Sequence, residues 1–146
     1  LLARHMLTLL LKMKAKDLSA VDSSNVGKGT VVIVDDSGMS RTMLNNLLTE
    51  AGFTVVAEAC DGLEGVMAYK QYNPDIITLD ITMPNMDGTE ALKEIIDYDE
   101  SAKVVMITAA GQQNKVIEAL KIGAEKFITK PYEKEEVIAT MEALLK

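Results

Sequence analysis

The chain has 146 residues, room for one domain with a proper core and too few for two of typical size. Hydrophobic residues make up 48% and charged residues 25%, which is the balance of an ordinary soluble globular protein. A net charge of −7 argues against a built-in nucleic-acid surface, because phosphate backbones are bound by clustered Lys and Arg.

Residues 1–28 read as an extension. Leu1 to Lys16 favours helix through its Leu, Met, Lys and Ala content. Asp17 to Gly29 is rich in Ser, Asp, Asn and Gly and reads as a linker. Leu7, Leu10 and Leu11 could form an apolar stripe. That stripe is expected to pack on a neighbouring molecule, giving a dimer, or on the output face of the domain itself. The His5-Met6 pair also fits a cloning scar, which would make part of the extension vector-derived. His5, the one histidine, leaves no basis for a His-based catalytic site or a His/Cys zinc site. The apolar start is short and no small-residue cleavage site follows it, so no signal peptide is expected. No apolar run is long enough to span a bilayer, so no membrane insertion is expected either.

From residue 29 to 146, strand and helix patterns alternate. Short β-branched apolar runs predict strands at Thr30–Val34, Thr54–Glu58, Ile76–Leu79, Val104–Thr108 and Lys126–Thr129. Between them lie amphipathic stretches of helical period. Met39, Met43, Leu44, Leu47 and Leu48 form the first, with Gly52 placed as a C-terminal cap. Leu63, Val66 and Met67 form the second, and Leu92, Ile95 and Ile96 the third. Val116, Ile117, Leu120 and Ile122 form the fourth, ending at Gly123. Val137, Ile138, Met141, Leu144 and Leu145 form the last. Most of these stripes are expected to pack in the core. Cys60, the one cysteine, rules out an intrachain disulfide and reads as a small buried or half-buried hydrophobe. The alternation predicts an α/β fold: a doubly wound, five-stranded parallel sheet with helices on both faces. In such sheets ligands bind outside the carboxyl ends of the strands.

Those strand ends carry chemistry. The first ends in Val34-Asp35-Asp36 and the third in Leu79-Asp80. If the strands are neighbours, three carboxylates meet, and like charges at close range raise one another's pKa. A hard divalent cation relieves the repulsion. Mg²⁺ suits few carboxylates together with water and phosphate oxygens. The fourth strand ends in Thr108-Ala109 and the fifth in Thr129-Lys130-Pro131, supplying a hydroxyl donor and an ammonium for a phosphoryl group. Pro84 and Gly88 punctuate a tight loop after Asp80, and the Ile81 carbonyl there could supply a metal ligand. Taken singly, each of these residues is an ordinary cap, filler or solvated side chain. Four of five strand ends equipped for one task is what stands out.

Together, Val-Asp-Asp at 34–36, Asp80 with Met-Pro-x-Met-Asp-Gly at 83–88, Thr-Ala at 108–109 and Lys-Pro at 130–131 resemble the receiver domains of two-component response regulators. The resemblance covers about residues 29–146. Gly111-Gln112-Gln113 and the segment after Asp80 look most like chemotaxis-type, CheY-like members.

The resemblance implies the flavodoxin-like strand order 2-1-3-4-5 and a cytoplasmic location. It implies that Asp80 accepts a phosphoryl group from a sensor histidine kinase. Asp36, Asp80 and the Ile81 carbonyl would then contact Mg²⁺, with Asp35 acting through bound water. Thr108 and Lys130 would bind phosphoryl oxygens, and the Lys130-Pro131 bond would be cis. Phe127 takes the position of the switch aromatic, where a side chain without a hydroxyl signals by packing alone. Thr82 lies beside the path of an attacking water, and the small Ala110 leaves the phosphoryl group open. The output partner implied is a protein such as a flagellar motor switch component. The expected role is a signalling switch with weak phosphotransfer and autodephosphorylation chemistry. A free-standing regulator is expected over a fragment of a larger one, because the chain ends just past the last stripe. Two rivals are a pure interaction module and a Mg²⁺-dependent phosphohydrolase. The full site set argues against the first. The second lacks an acid two residues after Asp80, where Thr82 stands.

Overall fold

A computed structural model describes residues 27–145. The expected helix of the extension and its leucine stripe lie outside the described residues. Five parallel strands form one sheet in the order β2-β1-β3-β4-β5. The strands are β1 (Thr30–Val34), β2 (Thr54–Ala59), β3 (Ile76–Asp80), β4 (Val104–Thr108) and β5 (Lys126–Thr129). The helices are α1 (Gly38–Glu50), α2 (Gly62–Tyr72), α3 (Gly88–Tyr98), α4 (Gln113–Ile122) and α5 (Lys134–Ala143). The expected strand order holds. Strands β2 and β3 each run one residue further than the sequence pattern predicts, so Asp80 is itself the last residue of β3.

The central strands are almost wholly apolar because helices cover both faces. Successive side chains point to opposite faces. Val31 and Ile33 therefore pack with Leu44 and Leu48 of α1 and Val137 and Met141 of α5. Val32 and Val34 pack with Val66 of α2, Leu92 and Ile95 of α3, and Val116 of α4. The edge strands β2 and β5 are partly exposed, and no helix among the described residues is long and apolar enough to cross a membrane.

Several helical apolar residues expected in the core are exposed. Met39 is 77% exposed and Met67 62%, and Met43, Leu63, Ile117 and Leu120 also face outward. The apolar stripes are wider than the face each helix presents to the sheet. Leu44 and Leu48, or Val66 and Tyr69, already fill that face. Tyr69, which the stripes did not include, is buried and donates its hydroxyl to Asp99 Oδ2 at 2.7 Å. Cys60 is exposed rather than buried, and its thiol donates to Glu64 Oε2 at 3.1 Å.

Thr78, in the middle of β3, lies level with Ile33 of β1 and Val105 of β4. Its hydroxyl is buried with no hydrogen-bond partner among the described residues. An unsatisfied buried hydroxyl costs about 1–3 kcal/mol. Thr78→Val keeps the shape and removes the orphan, so it should raise stability by about 1 kcal/mol in urea denaturation. A destabilised variant would show that the hydroxyl is satisfied.

Candidate functional site

The site is built from the loops that leave the carboxyl ends of β1, β3, β4 and β5. Local sequence sets each loop. Ser37 caps α1, its Oγ accepting the Ser40 N–H at 3.2 Å. Asp-Gly-x-Glu occurs twice, at 61–64 and 87–90. Each Asp caps the next helix, accepting the Glu64 N–H at 2.8 Å and the Glu90 N–H at 2.9 Å. The two loops also dock on one another. Asn85 Nδ2 donates to Asp61 Oδ2 at 2.8 Å, and the Gly62 N–H donates to the Met86 carbonyl at 3.1 Å.

Strand pairing β1–β3 brings Asp35, Asp36 and Asp80 together, each offering a carboxylate oxygen within 4.8 Å of the others. Asp35 and Asp80 are buried and Asp36 is exposed. Lys130 arrives from the far edge of the sheet. Its Nζ donates to Asp35 Oδ2 at 2.8 Å and stands 3.6 Å from Asp80 Oδ2. Asp35 Oδ1 accepts the Ser37 N–H at 2.8 Å, so both its oxygens are engaged. The Asp36 carboxylate takes no hydrogen bond from the described residues.

Burial raises the Asp80 carboxyl to about 6, helped by the Asp35 charge and opposed by Lys130. Burial works against the Lys130 ammonium, but the hydrogen bond to Asp35 and the charges of Asp80 and Asp35 outweigh it and hold its pKa above the ordinary value. Half-buried Tyr132 feels the same charges: burial first, then Asp35 and Asp80, push its hydroxyl above the usual range. A buried excess of negative charge with oxygen donors this close fits a divalent cation.

The Ile81 carbonyl accepts the Gly88 N–H at 2.8 Å, which uses one of its two lone pairs to close the loop after β3. Thr108 is buried, and its hydroxyl faces the Ala109 carbonyl at 3.0 Å and Gln112 Oε1 at 3.2 Å. The Lys130-Pro131 bond is cis. Phe127 is 46% exposed and borders a surface groove with Thr108, Val116, Ile117 and Leu120.

Sequence reasoning gave no site role to two residues, Arg41 and Gln112. Arg41 of α1 donates from Nη1 to the Asp35 carbonyl and from Nε to Glu58 Oε1 at 3.1 Å, tying the end of β1 to β2. Gln112 bonds Thr82, Thr108 and Ala109. Neither lies on an apolar stripe or at a strand end, so no periodic signal marks it.

The family model of the response regulator receiver domain matches residues 31–142. The chain belongs to this family. It is a phosphorylation-activated response regulator of the chemotaxis type, a signalling switch. Chemotaxis protein CheY of Listeria monocytogenes is 50% identical over 116 residues, which is 80% of this chain and 98% of that protein. CheY of Bacillus subtilis is 45% identical over 115 residues, 79% of this chain and 96% of that protein. Among solved structures, the CheX-CheY-BeF3-Mg²⁺ complex from Borrelia burgdorferi is similar at 40% identity and a TM-score of 0.76. The match covers 80% of this chain and 89% of that one.

Proposed function

We propose that Asp80 is the phosphoacceptor of this receiver domain, with Mg²⁺ held by the carboxylates of Asp35, Asp36 and Asp80. The observation that carries the reading is Lys130 Nζ reaching Asp35 at 2.8 Å and Asp80 at 3.6 Å, beside three carboxylates with no other cationic side chain so close among the described residues. Asp36, exposed and without a hydrogen-bond partner among the described residues, supports a direct role in holding the cation. Asp35, with both oxygens engaged, supports a role through bound water. When bound, the cation neutralises charge on the phosphoryl oxygens.

An Asp80 carboxylate oxygen attacks the phosphorus of a phosphohistidine on a sensor kinase. A P–O bond forms, the P–N bond breaks and the imidazole leaves. Lys130 balances charge on the transferring group, and positioning does most of the work. Hydrolysis of the acyl phosphate returns the carboxylate and releases phosphate. The Thr108 hydroxyl turns to a phosphoryl oxygen, and Phe127 moves into the space it leaves. That shifts a two-state equilibrium and alters the surface of α4, β5 and α5, where Ile117, Leu120 and Phe127 are exposed. Residues 29–146 form the receiver unit in this reading, and residues 1–28 an extension able to support a dimer. A component of the flagellar motor switch is the output partner, and the cytoplasm is the setting.

Incubation with acetyl phosphate and Mg²⁺, followed by intact mass, tests the assignment. The wild-type chain should gain one phosphoryl group and Asp80→Asn none. Equal labelling of the two proteins would place the acceptor elsewhere. Sustained turnover of a phosphomonoester by the wild type would favour the phosphohydrolase reading.

A further inference from the structure

We propose that Gln112 is a positioning residue that restrains Thr108 in its unphosphorylated orientation and so sets how readily the domain enters the switched state. The inference rests on the Asp80 reading above.

Gln112 occupies the N-cap position of α4, yet its side chain makes no cap hydrogen bond. A side chain there ordinarily bonds back to the first turn of its own helix. This one crosses to the site instead. Oε1 accepts the Ala109 N–H at 2.8 Å and the Thr108 hydroxyl at 3.2 Å, while Nε2 donates to Thr82 Oγ1 at 2.7 Å. One amide thus ties the loop after β3 to the loop after β4 at the edge where Asp80 ends.

A threonine hydroxyl carries one proton. Here that proton is shared between the Ala109 carbonyl and Gln112 Oε1. A phosphoryl oxygen on Asp80 needs the same proton. The bond to a charged oxygen is the stronger, so the phosphoryl group wins the competition. The bond to Gln112 must still be given up, and its loss is subtracted from the drive toward the switched state. Gln112 is itself held in place from the other side by Thr82. The restraint therefore depends on both loops, and loosening either arm should relax it.

The test is a titration with beryllofluoride and Mg²⁺, read by amide NMR, which also reports whether each variant is folded. Gln112→Ala should bind the phosphoryl mimic about 2- to 10-fold more tightly than wild type, the range spanned by one net hydrogen bond. In a Thr108→Ala background the same change should have less than half that effect, because the restrained hydroxyl is gone. Thr82→Ala, at an exposed position, cuts the other arm; it should tighten binding in the same direction and not add to Gln112→Ala. Unchanged or weaker binding by Gln112→Ala overturns the inference, as does a full gain in the Thr108→Ala background. A wild-type protein that does not take beryllofluoride at all overturns the Asp80 reading, and this inference with it.

Discussion

Asp80→Asn is expected to stabilise the cation-free protein at neutral pH by about 2 kcal/mol. The Asp80 carboxyl rises from 3.8 to about 6 on folding, chiefly through burial and then through Asp35, with Lys130 opposing. At 1.36 kcal/mol per unit the shift sets an upper bound of about 3 kcal/mol, and solvent access to the site lowers it. The sign follows from proton counting. Between the unfolded and folded pKa values the native state binds more protons than the unfolded chain, so wild-type stability falls as pH rises from about 4 to about 6. Above that window the charged group is a standing cost, and an uncharged Asn removes it. The stability curves of wild type and Asp80→Asn should therefore meet near pH 4, diverge between about pH 4 and about pH 6, and run parallel above that. Mg²⁺ binds the folded wild type and should narrow the gap. By the same protonation, Mg²⁺ affinity should fall as pH drops through about 6. Urea denaturation across pH, with and without Mg²⁺, checks all of this. A gap that stays constant with pH, or an Asn variant less stable at neutral pH, would contradict the account.

Gly88→Ala should lose about 3 kcal/mol of stability and slow phosphorylation about 10- to 100-fold. Its Cβ would stand 2.2 Å from the Asp80 carbonyl oxygen and 2.9 Å from Ile81 Cα. Both are backbone atoms at the end of β3, one of the acceptor and one of the residue after it, so relief of the clash must move the acceptor itself. Misplacement of a reacting group by about an ångström is enough for a loss of this size. Gly38→Ala is the matched comparison, because its Cβ meets Arg41 Nη2 at an ordinary 3.5 Å. It should be neutral or slightly stabilising, since Ala is the better helix former. Thermal unfolding and the rate of acetyl phosphate labelling separate the two. Equal behaviour of the two variants would show that the loop after β3 yields easily.

Much of the fold could be read from local pattern. Val31–Val34 and Val104–Ile107 are apolar without alternation, which marks strands covered on both sides. Asp61 and Asp87 mark helix starts because the side chain of each accepts the backbone N–H three residues on. These signals are short-range, so the sequence carries them whole. The exposure of Met39, Met43, Leu63 and Met67 is hidden from the sequence for the converse reason. Periodicity states that a face is apolar, and packing decides how wide a face the sheet covers.

The same division runs through the site. By itself the sequence determined which side chains stand at the strand ends: Asp35 and Asp36, Asp80, Thr108 and Lys130. A strand end is a local property, and residue type at that end can be read directly. The tertiary structure decided what those side chains do to one another. It set Lys130 against Asp35 across 95 positions of chain, raised the Asp80 carboxyl by burial beside Asp35, committed one lone pair of Ile81 to Gly88, and turned Gln112 away from its own helix onto Thr108. Each of these depends on distance, burial or direction between loops of different strands. Such quantities exist only once the sheet is assembled.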